Sequence, residues 1–201
     1  MPAALLLHGQ PGSPKQWDGV AAGLRGRSIE VLAPDRPGYG ASSLPAGGFR
    51  HNARAMLDLL DREGIGDAVV VGYSWSAGVA VAMSGASAVS ALVLVCPVVP
   101  GGQPEGLRSS ARAILSGRSV WIEQRALGRE LPSLGAPSEP CTVVLAADDD
   151  VCDPAAGRRY AERIGARLVE VPDAGHLLPI ERPEEVARAV AAATSESRGA
   201  R

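Results

Sequence analysis

The sequence predicts an α/β fold in which a mostly parallel sheet is covered by helices on both faces. Short apolar runs of strand length alternate along the chain with longer amphipathic segments of helix length, and this alternation is typical of βαβ units. Hydrophobic residues make up 46% of the 201 residues and charged residues 21%, the composition of an ordinary globular domain. We therefore expect a single domain spanning residues 1–201, long enough to bury a sizeable core.

Six apolar runs, several rich in Val, predict the strands, at residues 4–7, 30–33, 68–72, 91–96, 142–146 and 167–171. The amphipathic segments predict helices at residues 14–24, 50–63, 75–84, 155–164 and 184–193. The last helix has a favourable start, because Pro183 and two glutamates occupy its first turn. The polar segment 195–201 is expected to fray.

The alternation breaks between Pro97 and Pro140. Turns rich in Gly and Pro bound this segment, and two short amphipathic stretches lie within it, at residues 105–115 and 120–131. We interpret residues 98–139 as a helical insertion that forms a lid, and not as a second domain.

Charge and hydropathy exclude several classes of partner. The formal net charge is −2, so electrostatics indicate neither nucleic acid nor an anionic membrane surface. No apolar run approaches the roughly 18–20 residues that span a bilayer, and the N-terminus shows no signal-peptide pattern. We expect a cytoplasmic protein that acts on a small molecule.

The three cysteines, Cys96, Cys141 and Cys152, are an odd number without metal-like spacing. We predict reduced thiols, buried in the case of Cys96 and Cys141. Cys152 follows a run of aspartates, which would raise the pKa of its thiol and make it a poor nucleophile. No phosphate loop, HExxH, CxxC or dinucleotide motif is present, so no cofactor and no metal are predicted.

The most informative segment runs from Val69 to Ser76. Three valines predict a buried strand, Gly72 permits a sharp turn, and Ser74 stands at the tip before a run of small residues opens a helix. Such a turn exposes a hydroxyl, and the helix N-terminus behind it favours developing negative charge. Ser74 is therefore the candidate nucleophile.

Three further motifs accompany this turn, each after a predicted strand. The four are His8-Gly9-Gln10-Pro11-Gly12, Asp35-Arg36-Pro37-Gly38-Tyr39-Gly40, Gly72-Tyr73-Ser74-Trp75-Ser76 and Gly175-His176. In this order they resemble the α/β-hydrolase superfamily along almost the whole chain. The resemblance implies an α/β-hydrolase fold with a short helical lid and a serine nucleophile, esterase- or lipase-like. Family members usually have strands before the one that here begins at Ala4, so about six strands are expected. One sheet edge is then exposed or covered by a partner, and a homodimer is possible.

The resemblance also assigns catalytic roles. Ser74 is the nucleophile, His176 the general base, and Asp149 the acid that orients the imidazole. Asp149 lies nine residues after Pro140 and two before Val151. Counting back from Pro154 selects Asp150, and Asp148 is a further alternative. Ser76 replaces the family's second Gly and is the alternative nucleophile.

Other site residues follow the same resemblance. The backbone N–H groups of Gln10 and Trp75 are expected to form the oxyanion hole. Trp17 and Trp121 are candidate substrate-binding residues, although packing explains a Trp equally well. The loop of Asp35 and Arg36 is interpreted as structural, with both charges paired nearby.

The predicted activity is hydrolysis of a small, mainly apolar ester, thioester or lactone through an acyl-enzyme. A serine nucleophile argues against epoxide and haloalkane chemistry, which in this fold uses a carboxylate. Two alternatives remain: a ligand-sensing protein on the hydrolase fold, indicated by Ser76-Ala77 and the small lid, and a non-hydrolytic cyclase or lyase. Fold alone does not decide among them.

Overall fold

The computed structural model describes residues 2–100 and 117–199. Its six-stranded sheet has the order β2-β1-β3-β4-β5-β6, and every neighbouring pair is parallel. The strands are Ala3–Leu7 (β1), Glu30–Leu32 (β2), Ala68–Tyr73 (β3), Val89–Val95 (β4), Cys141–Ala146 (β5) and Arg167–Val171 (β6). The predicted fold class and all six strands are confirmed, with boundaries that differ by at most two residues.

Helices cover both faces of the sheet. They are Asp18–Arg25 (α1), Phe49–Arg62 (α2), Ser76–Ala82 (α3), Arg118–Glu130 (α4), Pro154–Ile164 (α5), Leu178–Glu181 (α6) and Pro183–Gly199 (α7), with short 3₁₀ turns at Pro14–Trp17 and Leu131–Ser133. Strands β1, β3 and β4 are buried along their whole length, which is why they read as continuous apolar runs. Successive side chains enter opposite core layers, so Leu5 packs with Phe49 while Leu6 packs with Trp17.

The end of the last helix differs from the prediction. Residues 195–199 continue α7 instead of fraying, and Thr194 and Ser197 are buried. Their hydroxyls donate to the carbonyl oxygens of Val190 and Thr194, at 2.8 and 3.1 Å. Because these local hydrogen bonds satisfy the hydroxyl groups, the helix can bury polar side chains here. The segment therefore lacks the apolar periodicity by which a helix is recognised in a sequence.

The predicted lid is described in part. Helix α4 corresponds to the stretch predicted at residues 120–131, whereas the stretch at 105–115 lies outside the described residues. Val120, Glu123, Ala126 and Leu127 are the buried positions of α4. At its C-terminal end, the Glu130 carboxylate accepts the backbone N–H of Arg50 in α2 at 2.9 Å, so the helix is fastened to the core at that end.

Strands β2 and β6 form the sheet edges. The exposed Arg167 and Glu170 of β6 pair with Glu196 and Arg158, respectively. Charged side chains on an edge strand oppose pairing with a strand of another molecule, so the β6 edge does not favour dimerisation. The homodimer expected from the sequence stays a prediction. None of the described helices is long and apolar enough to cross a membrane.

The topology directs the candidate residues to one place. In a parallel sheet, all carboxyl ends of the strands point to the same edge, where ligands bind in open α/β folds. His8 follows β1, Ser74 follows β3, Asp149 lies shortly after β5 and His176 shortly after β6.

Candidate active site

Ser74 stands in a sharp turn between β3 and α3. Its φ of 54° lies in the left-handed region, which is unusual for a residue other than Gly. Three backbone hydrogen bonds hold the turn: Ser74 N–H donates to Val95 O at 2.9 Å, and its carbonyl accepts from Ala77 and Val98 at 3.1 and 3.2 Å. Gly72 is required here, since a Cβ on it would lie 2.4 Å from the carbonyl oxygen of Ser76.

Ser74, His176 and Asp149 form a continuous hydrogen-bonded chain. Ser74 Oγ lies 3.0 Å from His176 Nε2. His176 Nδ1 lies 2.9 and 3.0 Å from the two oxygens of Asp149. The Asp149 side chain is 2% exposed and that of His176 14%, so the acid is shielded from water while the base remains reachable. This is the arrangement in which an imidazole can accept a proton from a serine.

The surroundings of Asp149 favour its ionised form. Burial alone would raise the pKa of this carboxyl, but the hydrogen bond and charge of His176, together with backbone N–H groups, hold the pKa below its usual value. Those N–H groups belong to Val151 and Cys152, at 2.9 and 2.8 Å from Oδ1. Asp148 and Asp150 are exposed, and among the described contacts only Asp149 reaches the imidazole.

A tyrosine that the sequence analysis did not single out supports the histidine loop. The hydroxyl of Tyr73 donates to the backbone carbonyl of His176 at 2.8 Å, and its ring lies 5.3 Å from the imidazole, centroid to centroid. Burial raises the pKa of Tyr73 far above its ordinary value, so the phenol keeps its proton. Its place next to Ser74 is the only signal in the sequence that could have drawn attention to it.

Ser76, the alternative nucleophile, has a different partner. Its hydroxyl is fully buried and donates to the carbonyl of His8 at 2.6 Å. This bond ties the first turn of α3 to the loop after β1.

The two expected oxyanion-hole residues belong to the loop after β1 and to the serine turn. Gln10 is in the loop after β1, and Trp75 directly follows Ser74 before α3. Among residues 2–100 and 117–199, neither backbone N–H has a hydrogen-bond acceptor. Both donors are therefore available to an oxygen of a substrate.

Arg36 is the buried cation of this region, and its partner is distant in sequence. Its guanidinium donates to the carbonyls of His8 and Gly9, at 2.9 and 3.0 Å, and pairs with Glu123 of α4 at 2.5 Å. Both side chains of the pair have no exposed surface. The sequence predicts that both charges of this loop are paired nearby. The Asp35 carboxylate accepts the backbone N–H of Ala41 at 2.9 Å, whereas Arg36 pairs with a residue of α4.

His8 is a structural residue. Burial and the nearby Arg36 charge lower its pKa from 6.5 to about 4. Nε2 accepts the backbone N–H of Arg36 at 3.2 Å, and Nδ1 lies 3.0 Å from Gly9 O. The imidazole is thus neutral at physiological pH.

The three cysteines are free thiols. Burial raises the pKa of Cys152 and of Cys96, with Asp149 as the next cause for both, and raises that of Cys141 to about 12. The low reactivity predicted for Cys152 therefore rests first on burial. Within the described parts of the chain, Cys96, Asp149 and His176 bring potential metal-ligand atoms within 4.8 Å of one another, but a cation there would compete with the bond between Asp149 and His176.

The two candidate tryptophans lie in different settings. Trp17 has no exposed surface and packs in the core against Tyr73, so this packing does not support contact with a substrate. Trp121 on α4 is 51% exposed, with Arg125 stacked over its ring at 4.7 Å. Substrate binding by either Trp stays a prediction.

The chain is similar to proteins of one known family. The chain matches the alpha/beta hydrolase family over residues 4–138 and 122–189. An epoxide hydrolase of Caballeronia sordidicola is 35% identical over 80 residues, which cover 38% of this chain and 24% of that protein. A 2-hydroxymuconate semialdehyde hydrolase of Pseudomonas putida is 36% identical over 85 residues, which cover 40% of this chain and 30% of that protein. The matched part is thus less than a third of either relative.

A solved structure extends the likeness to the whole fold. A thermophilic esterase from Thermogutta terrifontis superimposes with a TM-score of 0.80 over 98% of this chain and 90% of the esterase, at 22% identity. At that identity the likeness concerns the fold. Together with the family match along most of the sequence, it leads to one conclusion: the chain belongs to the alpha/beta hydrolase family.

Proposed function

We propose that this protein is a serine hydrolase that cleaves a small, mainly apolar carboxylic ester, thioester or lactone. The observation that carries the proposal is the chain of contacts from Ser74 Oγ to His176 Nε2, at 3.0 Å, and from His176 Nδ1 to Asp149, at 2.9 Å. A hydroxyl, a base and an orienting acid in this order are the parts that acyl transfer requires.

The reaction proceeds in two halves. His176 takes the proton of Ser74 as Oγ attacks the carbonyl carbon, and the N–H groups of Gln10 and Trp75 stabilise the oxyanion. The leaving alcohol or thiol receives the proton from His176, which leaves an acyl-enzyme. Water, activated by His176, then attacks the acyl carbon, the acid is released, and Ser74 regains its proton. No cofactor takes part in this sequence.

The buried ion pair beside the loop of Gln10 favours an uncharged substrate. Among the described residues, Arg36 is the buried cation that contacts the loop of Gln10, and its charge is already paired with that of Glu123. A substrate carboxylate would therefore gain no counter-charge from this residue. The small apolar ester, thioester or lactone expected from the sequence fits these surroundings.

Epoxide hydrolysis, named for one relative, suits a serine poorly. A carboxylate that opens an epoxide forms an ester, which water can cleave. A serine oxygen would form an ether instead, and water activated by a histidine does not cleave an ether. Position 74 of this chain carries a serine.

A panel of p-nitrophenyl esters of increasing acyl length tests the proposal. We expect turnover by the wild-type protein and its loss in Ser74→Ala, by at least about 1,000-fold. Ser76→Ala is the matched control, because it removes a neighbouring buried hydroxyl that bonds only to His8 among the described residues. It should retain most of the activity per folded molecule.

Two other outcomes would contradict hydrolysis. Saturable ligand binding with negligible turnover would favour a sensing role. A non-hydrolytic reaction that survives Ser74→Ala would favour a cyclase or lyase.

A further inference from the structure

Glu123 occupies an unusual position for an acid. It lies on the buried face of the lid helix α4, between Val120 and Leu127, and its side chain has no exposed surface. A buried carboxylate is costly unless it is paired and hydrogen-bonded. Both carboxylate oxygens are accordingly hydrogen-bonded, and their three partners come from two loops of the core, after β1 and after β2.

The carboxylate contacts the loop that carries the first oxyanion donor. Glu123 Oε2 accepts from Gln10 Nε2 at 2.7 Å and from the Tyr39 hydroxyl at 2.6 Å. The other end of the same amide is held by the lid as well, since Gln124 Nε2 donates to Gln10 Oε1 at 2.7 Å. Adjacent residues of α4 thus fix both polar atoms of the Gln10 side chain.

The backbone of Glu123 contacts the second oxyanion residue. The indole Nε1–H of Trp75 donates to the carbonyl of Glu123 at 3.3 Å. One residue of the lid therefore touches the side chains of both Gln10 and Trp75, the two residues expected to supply the oxyanion-hole N–H groups.

Arg36 completes the connection. It pairs with Glu123 Oε1 and donates to the carbonyls of His8 and Gly9, which precede Gln10. Its guanidinium also lies 4.8 Å from the centre of the Trp75 ring. The loop after β1 is therefore held from the core side by Arg36 and from the lid side by Glu123.

We propose that Glu123 is a positioning residue that couples the lid helix to the oxyanion hole: when α4 is seated, Glu123 and Gln124 orient Gln10 and Trp75 for the developing oxyanion. This inference rests on the proposed function for its catalytic consequence, but the coupling itself is a property of the fold.

The coupling is tested by two variants of the lid and one control on the same helix. Glu123→Gln removes the charge and one acceptor. Gln124→Ala removes only the bond to Gln10, from a half-buried position, and should fold even if the first variant does not. Glu130→Ala is the control, because it breaks a different contact between α4 and the core, the one to Arg50.

Kinetics and NMR are measured on all three. For Glu123→Gln and Gln124→Ala, we expect kcat per titrated active site to fall by about 10- to 100-fold while KM changes by about twofold or less, since an oxyanion hole acts in the transition state. The ¹⁵N resonances of the Gln10 amide and the Trp75 indole should shift in Glu123→Gln, and that of Gln10 in Gln124→Ala. Glu130→Ala should leave both resonances and kcat at wild-type values.

The outcomes separate the two claims. The coupling would be overturned if Gln124→Ala left the Gln10 resonance and kcat unchanged. It would also be overturned if Glu130→Ala lowered kcat by the same factor as the two test variants. If the wild-type protein turns over no ester, the proposed function fails, yet the NMR comparison still decides whether the lid positions Gln10. A loss of stability without a change in kcat per active site would reduce Glu123 to a structural residue and overturn the proposal.

Discussion

Ser74, the proposed nucleophile, has a strained backbone conformation. A non-Gly residue in the left-handed region costs about 1–3 kcal/mol, and here its φ is 54°. Hydrogen bonds to Val95, Ala77 and Val98 hold the conformation. The strain is stored where the hydroxyl must meet His176, which is the expected place for a preorganised nucleophile.

The role of Asp149 as the acid of the proposed triad can be tested by replacing one of its carboxylate oxygens with an amide nitrogen. Asp149→Asn keeps the size of the side chain but can donate to His176 Nδ1, which favours the wrong imidazole tautomer. We expect kcat/KM for a p-nitrophenyl ester to fall by roughly 10³- to 10⁴-fold with the fold intact. Asp150→Asn, at the exposed neighbouring position, should change it by less than about threefold. Equal effects of the two substitutions would contradict the assignment.

The sequence predicted the residues of the site that lie in motifs, and missed those held by distant contacts. Ser74 and His176 follow strands in recognisable turns. Because the carboxyl ends of parallel strands lie at one edge of the sheet, their proximity could be inferred. The pair of Arg36 and Glu123 joins residues 87 apart in sequence, and no local pattern links them. One signal existed: Glu123 lies at an inward position of an amphipathic helix, where an acid requires a buried partner.

At the scale of elements, the close approach of β3 and α3 decides where Ser74 points. The Cβ of any residue at position 72 would lie 2.4 Å from Ser76 O and 2.8 Å from Ala77 Cα. Both are atoms of the backbone, so a larger residue must push the helix away. Gly72 therefore sets the distance between β3 and α3.

Gly72→Ala should consequently damage both stability and activity. We expect a loss of about 1–3 kcal/mol in the free energy of unfolding, measured in urea, and a fall in kcat as the Ser74 turn shifts. Gly66→Ala provides the control, because a Cβ there meets nothing within 4 Å, and its effect should stay within about 0.5 kcal/mol. Equal stability of the two variants would show that the strand and helix can separate freely.

The elements themselves were predictable because their apolar patterns are regular. The exceptions have local causes. The C-terminal part of α7 contains Ser195 and Ser197, which read as a loop, yet their hydroxyls bond back to the carbonyls of Ala191 and Thr194. Side-chain bonds of this kind leave no periodic signal in the sequence.

At the scale of the whole molecule, one buried imidazole makes stability depend on pH. His8 lies between the sheet and Arg36, and its pKa falls from 6.5 to about 4 on folding. Between those values the unfolded chain binds the proton more tightly than the folded protein does. Stability must therefore decrease as the pH falls through this window.

We expect the free energy of unfolding to drop by up to about 3 kcal/mol between pH 6.5 and 4, as measured by urea titration. Asp149 and Glu139, whose pKa values are lowered from 3.8 and 4.5 in the folded protein, also remove stability as the pH falls toward and below those values. The difference between the wild-type protein and a His8 variant therefore isolates the contribution of the imidazole. His8→Gln should flatten the dependence over that range. A wild-type protein equally stable at pH 6.5 and 4.5 would disagree with a buried neutral His8.

The central claim is that the fold brings Ser74, His176 and Asp149 together as a working nucleophile. The most direct test is covalent labelling with a fluorophosphonate, followed by mapping of the modified peptide. We expect a label on Ser74 in the wild-type protein and in Ser76→Ala, and its loss in His176→Ala. Labelling of Ser76, or labelling of Ser74 that persists at the same rate without His176, would contradict it.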